Sequence, residues 1–287
     1  MTFLKPCLHF SICALAVGLL ITACGGSTGT APGPLLTTSG TSGFAIDGYL
    51  SGATVLCDSN SNGVADIGEI TATTDVTGFY KFAKECKAPL VATGGKSTDT
   101  QLDFAGKLQA PTGSTVITPL TTLVANGVSM DEVNQALDLP TGTDLLNTDA
   151  AAKKNGTYVN ADLFKKTLAT QQLLMQIAGL FAHVAGDTSV MPALYSEVAK
   201  AMAIELKKGT IINSGTTVDA AVLSNIIAIA HARVASSELF STPLKNAVAA
   251  VNPESLGLVT ASPLKDRPSR TLRRGLERRR SQRRRRQ

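Results

Sequence analysis

The sequence predicts an α+β protein in which strands come first and helices follow, as two segregated parts. Residues 44–113 contain short β-branched and apolar segments separated by Gly, Asn and Asp, which is typical of strands joined by tight turns. Residues 114–255 carry apolar residues at helical spacing between capping signals, and this pattern predicts an all-α helical bundle. Both ends of the chain lack these patterns, so we expect disordered termini.

Residues 1–23 have the features of a secretory signal peptide. Lys5 is followed by an apolar run that ends at Ile21 and is too short to span a bilayer as a mature helix. The segment 20–24, LITAC, resembles the lipobox of bacterial lipoproteins. The resemblance implies that Cys24 is lipidated and anchors the mature chain to a membrane. An ordinary cleaved signal beside an accidental cysteine is the alternative.

The residues after Cys24 bear on where the anchored chain lies. In lipoproteins of double-membrane bacteria, an aspartate at the next position commonly causes retention in the inner membrane. The resemblance, with Gly25 at that position, implies the outer membrane and a chain that faces the periplasm or the cell surface. Residues 24–43 are rich in Gly, Ser, Thr and Pro, which predicts a flexible tether. Residues 25–29 also match G-x-S-x-G, but without the flanking strand and helix of a nucleophile elbow, so this role is rejected.

Positive charge is concentrated at the C-terminal end. Residues 267–287 contain eleven arginines and one glutamate, whereas residues 1–266 have a net charge of −5. The segment 256–287 has no apolar periodicity, and we expect a disordered Arg-rich tail. The tail is a polybasic arm for anionic lipid or polysaccharide, a solvated segment without a dedicated partner, or the product of a shifted reading frame. Nucleic acid is a poor partner for an exported lipoprotein.

Residues 58–69 match the calcium-loop pattern D-x-[DN]-x-[DN]-G-x5-E at every position. Calcium takes six to eight oxygen ligands, and alternate residues of a turning chain can supply them. Gly63 permits the sharp turn that this wrapping requires. The predicted ligands are the side chains of Asp58, Asn60, Asn62, Asp66 and Glu69 and the backbone carbonyl of Val64. Because three of them are charged, we expect weak affinity; a polar turn that holds no metal is the alternative.

The residues on both sides of this loop predict strands. An EF-hand is therefore excluded, because that motif needs a helix on each side of its loop. The predicted strands are 44–50 and 53–57 before the loop and 70–74, 78–82 and 90–93 after it, with a hairpin across 75–77.

The strands and the loop together carry a family resemblance. The sequences GATV at 52–55, TTD at 73–75 and GFYKF at 78–82, with the loop between them, resemble the calcium-binding B-type repeats of serine-aspartate adhesins and related carboxypeptidase-regulatory-like domains. The resemblance spans about residues 42–113. It implies a small transthyretin-like β-sandwich over residues 44–113 that serves as a spacer or recognition module. No motif places the isopeptide crosslink that some relatives form.

Three cysteines remain after removal of the signal peptide. With Cys24 acylated, Cys57 and Cys86 are left as a pair in an oxidising compartment, which predicts a disulfide between them. A zinc site would need more ligands than these two thiols, and His183 and His231 lie far away in the sequence.

From Thr118 onward, capping signals and apolar spacing predict successive helices. Thr118 followed by Pro119 is a helix start, and residues 129–132, SMDE, form a capping box. The predicted helices begin at these two positions and then cover residues 160–185, 191–208, 218–235 and 243–251. The segment PLTTL at 119–123, placed after such a β-domain, resembles a recurrent arrangement in exported bacterial lipoproteins and implies no chemistry.

These observations favour a non-enzymatic, membrane-anchored lipoprotein with a calcium-stabilised β-module that serves surface binding, adhesion or spacing, toward an unknown protein or surface ligand. The alternative is an exported hydrolase with its site in the helical part. No phosphate loop, zinc motif or cofactor fingerprint supports the alternative. His183, His231, Glu197 and Glu205 lack ligand spacing, and we interpret both histidines as packed or solvated residues.

Overall fold

A computed structural model describes residues 40–209 and 219–251 of the chain. The predicted signal peptide 1–23, the predicted lipidation residue Cys24, most of the predicted tether and the Arg-rich segment 256–287 lie outside the described residues. The described chain contains both sheets and helices, and the α+β class is therefore confirmed. Among its helices, none has the length and apolar character needed to cross a membrane.

The described residues form eleven strands, most of them short. Their bounds are β1 Ser42–Ala45, β2 Leu50–Ser51, β3 Thr54–Cys57, β4 Thr71–Thr73, β5 Phe79–Lys81, β6 Leu90–Thr93, β7 Lys96–Ser97, β8 Lys107–Ala110, β9 Val116–Ile117, β10 Lys153–Lys154 and β11 Thr157–Tyr158. β1 begins inside the segment 24–43 that was predicted to be tether, because Gly43 pairs with Tyr80 and is buried. No strand pattern in the sequence predicts β7 to β11.

Two sheets make up most of the β-part. The larger is antiparallel with the order β4-β3-β6-β8, and Val55 of β3 lies opposite Ala72 on one side and Ala92 on the other. The smaller has the order β5-β1-β9, with β1 antiparallel to β5 and parallel to β9. β3 is apolar along most of its length because it is a central strand, and Val55, Leu56 and Cys57 are all buried.

The predicted hairpin across residues 75–77 is wrong. β4 pairs with β3, whereas β5 pairs with β1, so the turn carries the chain from one sheet to the other. The Asp75 carboxylate accepts hydrogen bonds from the backbone N–H groups of Thr77 and Phe79 at 2.7 and 3.1 Å, which stabilises this turn. Pairing with β1 buries Tyr80 in the core and sets the Phe79 ring against an aromatic residue of β1.

The described residues form six helices, which lie close to the positions predicted from the sequence. Their bounds are α1 Pro119–Ala125, α2 Met130–Ala136, α3 Ala161–Ala185, α4 Met191–Leu206, α5 Ala220–Ser236 and α6 Thr242–Ala249. The capping box predicted at Ser129 is confirmed, since its hydroxyl accepts from the N–H of Glu132 and the Glu132 carboxylate accepts from the N–H of Ser129. Thr118 caps α1 in the same way, with Thr121 as its partner.

One hydrophobic core extends through the strands and the helices. α1 packs against β8, and the ring of Phe104, which precedes β8, lies edge-on to the ring of Tyr195 in α4 with centroids 6.3 Å apart. Near the other sheet, the Tyr49 hydroxyl donates to the Asp149 carboxylate at 2.7 Å. The loop with the calcium-type pattern therefore projects from a scaffold that the helices support.

Candidate cation-binding loop

The candidate loop, residues 58–69, joins β3 to β4 at the end of a central strand. Cys57, the last residue of β3, forms a disulfide with Cys86, and their Cα atoms are 5.8 Å apart. The N–H of Asp58 donates to the carbonyl of Pro89 at 2.9 Å. Two links, one covalent and one hydrogen-bonded, thus hold the first residue of the loop against the segment that leads into β6.

The buried carboxylate of Asp58 organises the first half of the loop. Only 2% of Asp58 is exposed, and its two oxygens accept from the N–H groups of Asn62 at 3.1 Å and Gly63 at 2.8 Å. Gly63 has a φ of +73°, a conformation that a residue without a Cβ adopts freely. The chain therefore curls around Asp58, as the predicted order of ligands requires.

The carboxylate of Glu69 closes the loop by bonding back to its beginning. Its Oε1 accepts from the N–H and the hydroxyl of Ser59 at 2.7 and 2.9 Å, and its Oε2 accepts from the N–H of Asp66 at 3.1 Å. These donors, the Asp66 N–H above all, lower the pKa of Glu69. Both ends of the loop are consequently in contact.

Asp66 lies between the two asparagines of the pattern. Its Oδ2 accepts from the side-chain amides of Asn60 at 2.7 Å and Asn62 at 2.6 Å, and these two bonds lower the pKa of Asp66. Each asparagine oxygen is also engaged: Asn60 Oδ1 accepts from the N–H of Asn62, and Asn62 Oδ1 accepts from the N–H of Val64. The five predicted side-chain ligands therefore belong to one hydrogen-bonded loop.

The donor set of this loop fits calcium in its chemistry. All predicted ligands are oxygens of carboxylates, amides or a carbonyl, which a hard cation prefers. The side-chain oxygens of the loop nevertheless already accept hydrogen bonds from N–H and O–H groups within the loop. Among residues 40–209 and 219–251, no three side chains of His, Cys, Asp or Glu are grouped so as to hold a metal ion. A cation would have to replace the amide donors at Asp66.

Lys107 of β8 contacts the loop from outside the sequence pattern. Its Nζ donates to the carbonyl of Gly63 at 3.0 Å. Burial and the nearby ammonium of Lys200 lower the pKa of Lys107, while the carboxylate of Asp58 acts in the opposite direction. The sequence contains no signal for this contact, because 44 residues separate Lys107 from Gly63.

The histidines singled out in the sequence occupy ordinary helical positions. His183 is exposed near the end of α3. His231 of α5 is half-buried, its ring centroid lies 5.0 Å from that of Phe181, and burial lowers its pKa. Its Nε2 has no hydrogen-bond partner among the described residues.

The buried carboxylates of α4 bind basic and amide groups. Glu197 accepts from Lys200 and from Arg233 of α5, each at 2.8 Å. Glu205 accepts from Lys208 at 2.7 Å and from Asn225 of α5 at 3.1 Å. These contacts tie α4 to α5.

A second polar cluster, which sequence reasoning missed, lies where the turn after β1 meets the helices. The buried hydroxyl of Tyr195 donates to Oε1 of Gln171, a buried residue of α3. Burial raises the pKa of Asp47 to about 7, against the opposing effect of Gln171, and the nearby charge of Asp99 adds to the rise. No sequence motif marks these residues, because they come from three separate parts of the chain.

Comparison with known proteins identifies no relative of this chain. No family model, curated protein or solved structure matches the chain. The function is therefore inferred from the loop and its surroundings.

Proposed function

We propose that this chain is an exported lipoprotein, anchored through Cys24 and non-enzymatic, whose calcium-stabilised β-module serves surface binding, adhesion or spacing. The signal-like segment 1–23 and the lipobox resemblance support the anchor. Gly25 supports placement in the outer membrane, with the chain facing the periplasm or the cell surface.

The single observation that carries the proposal is the closed loop of residues 58–69. Every position of the calcium pattern is present, and one set of hydrogen bonds joins its carboxylates and asparagines. The disulfide at Cys57, immediately before the loop, suits an exported chain, since disulfides persist in oxidising compartments.

We further propose that residues 44–113 form most of a transthyretin-like β-sandwich, to which β9 adds a strand, and that the helices within residues 114–255 form a bundle. The two main sheets, both of which contribute to the core, support the sandwich. The many contacts of α4 with α3 and α5 support the bundle. In this architecture the loop lies at the end of β3, where a bound ion would crosslink the entry and exit of the loop.

The residues that would hold calcium are the six predicted ligands of the loop. Bound calcium would supply a crosslink between oxygens that otherwise accept hydrogen bonds only from groups within the loop. Asp58 has its carboxylate positioned by two N–H groups, whereas the amides of Asn60 and Asn62 would turn their oxygens inward. Three charged ligands place the expected affinity in the high micromolar to millimolar range.

Thermal unfolding of the full chain with calcium and with chelator tests this proposal. At a calcium concentration one hundred times the dissociation constant, mass action predicts a stabilisation of about 2.7 kcal/mol. Glu69→Ala should abolish the shift, because it removes the expected bidentate ligand. Glu238→Ala, an exposed glutamate after α5, is the matched control and should retain it.

Asp58→Ala separates the scaffold role of this residue from its ligand role. It should lower stability even in chelator, because Asn62 and Gly63 lose the carboxylate that their N–H groups contact. A wild-type chain whose unfolding midpoint is the same in calcium and in chelator would disprove the calcium site.

A further inference from the structure

We infer that Lys107 sets the calcium affinity of the loop by acting as a tethered cation that opposes binding. This inference rests on the proposed calcium function and concerns its regulation. The observation behind it is the approach of a lysine from β8 to the middle of the loop, where the pattern itself contains no positive charge.

Gly63 connects Lys107 to the predicted site. The carbonyl of Gly63 accepts from Lys107 Nζ at 3.0 Å, and its N–H donates to the Asp58 carboxylate at 2.8 Å. A Cβ added at Gly63 would lie 2.9 Å from the same Nζ, because the ammonium group packs directly against the loop. One residue thus lies between a fixed positive charge and the first predicted ligand.

The neighbours of Lys107 leave its charge directed at the loop. Lys107 pairs with Thr93 of β6 within the sheet, so the base of the side chain is fixed. Among the described residues it forms no direct ion pair with a carboxylate, whereas nearby Lys200 pairs with Glu197 at 2.8 Å. Asp58 of the loop is therefore the carboxylate whose charge acts most directly on Lys107.

Because of this placement, the Lys107 ammonium and a divalent cation bound in the loop would repel each other. In the absence of calcium, Lys107 offsets part of the negative charge of Asp58 and contributes a hydrogen bond to the loop. When calcium binds, the same charge repels it. The affinity is then lower than the ligand set alone would produce, and the site responds to extracellular rather than trace calcium.

Isothermal titration of calcium chloride into the purified full chain tests the inference. Lys107→Met keeps the length of the apolar stem but removes the charge, and Lys107→Gln is a second neutral variant. We expect both to bind calcium about three to ten times more tightly than the wild type, the effect of one charge acting across a partly solvated gap. Lys107→Arg and Lys165→Met, the latter on the exposed face of α3, should stay within about twofold of the wild type.

The salt dependence of calcium affinity distinguishes an electrostatic role of Lys107 from a purely structural one. The difference in calcium affinity between the wild type and Lys107→Met should shrink in part as ionic strength rises, because the loop is mostly exposed and salt screens the repulsion between the ammonium and the ion. Equal or weaker binding by both neutral variants would overturn the inference and leave Lys107 as a hydrogen-bonding anchor of Gly63. Absence of calcium binding by the wild type would instead refute the proposed function.

Discussion

At the residue scale, Asp47 shows how tertiary packing changes the chemistry of a single carboxyl group. It follows β1 in a short turn, and its backbone carbonyl accepts from the hydroxyl of Ser97 at 2.8 Å. The turn meets Gln171 of α3, and burial raises the pKa of Asp47 to about 7 from an ordinary value of 3.8. The neutral form of this residue is therefore favoured in the folded chain.

The raised pKa predicts that stability falls as pH rises through this window. Between about pH 4 and pH 7 the unfolded chain releases a proton from Asp47 that the folded chain retains, so the folded state is disfavoured as pH increases. Asp47→Asn should raise the free energy of unfolding at pH 8 and change it little at pH 4, as measured by urea unfolding at both pH values. Asp162→Asn, on the exposed face of α3, is the control. Equal effects of Asp47→Asn at both pH values would contradict the prediction.

At the element scale, side chains of α1 form hydrogen bonds with the edge strand of the larger sheet. β8 is an edge strand in the order β4-β3-β6-β8. The N–H of Gln109 donates to the Thr122 hydroxyl at 2.9 Å, and the carbonyl of Gln109 accepts from the Thr121 hydroxyl at 2.7 Å. Both threonines are buried. The threonines of the segment PLTTL therefore have a structural role. Their hydroxyl groups form hydrogen bonds with backbone groups of β8 that would otherwise pair with a neighbouring strand.

Replacement of Thr122 by valine tests this edge. The substitution conserves shape but leaves the N–H of Gln109 without its partner, which should cost about 1 to 3 kcal/mol of unfolding free energy. Thr71→Val on β4, an exposed strand position, is the matched control and should have little effect. Equal stability of the two variants in urea unfolding would show that the bond between Thr122 and Gln109 contributes nothing.

At the scale of the whole molecule, strands and helices share one core. The described residues belong to one compact unit, and Leu108 of β8 and Leu174 of α3 lie in the same buried cluster. Phe104 against Tyr195 and Tyr49 with Asp149 add contacts between the β-part and the residues that follow it.

A shared core predicts one cooperative unfolding transition rather than two. Scanning calorimetry of the full chain should give a calorimetric enthalpy about equal to the van't Hoff enthalpy. Leu174→Ala, which removes a fully buried side chain of α3, should lower the midpoint by reducing stability about 2 to 5 kcal/mol without splitting the transition. Two separate peaks would mean that the β-part and the helices unfold independently.

Local signals allowed much of the fold to be predicted. The capping residues Thr118 and Ser129 act within one helical turn, and the starts of all six helices lie within about two residues of their predicted positions. Composition also indicated the strand segments before and after the loop, except that residues 46–49 of the predicted strand 44–50 form a turn. The partners of β4 and β5 were not, because strand pairing depends on which faces the core buries and not on the length of the turn between them.

The sequence by itself determined the chemistry of the loop, since its predicted ligands lie within twelve consecutive residues and one turning segment can bring them together. Counting cysteines likewise singled out Cys57 and Cys86 as a pair. Only the tertiary structure decided that Lys107 contacts this loop and that Asp47 faces Gln171. Charge proximity and desolvation act through space, so they depend on the packing of strands and helices that are distant in the chain.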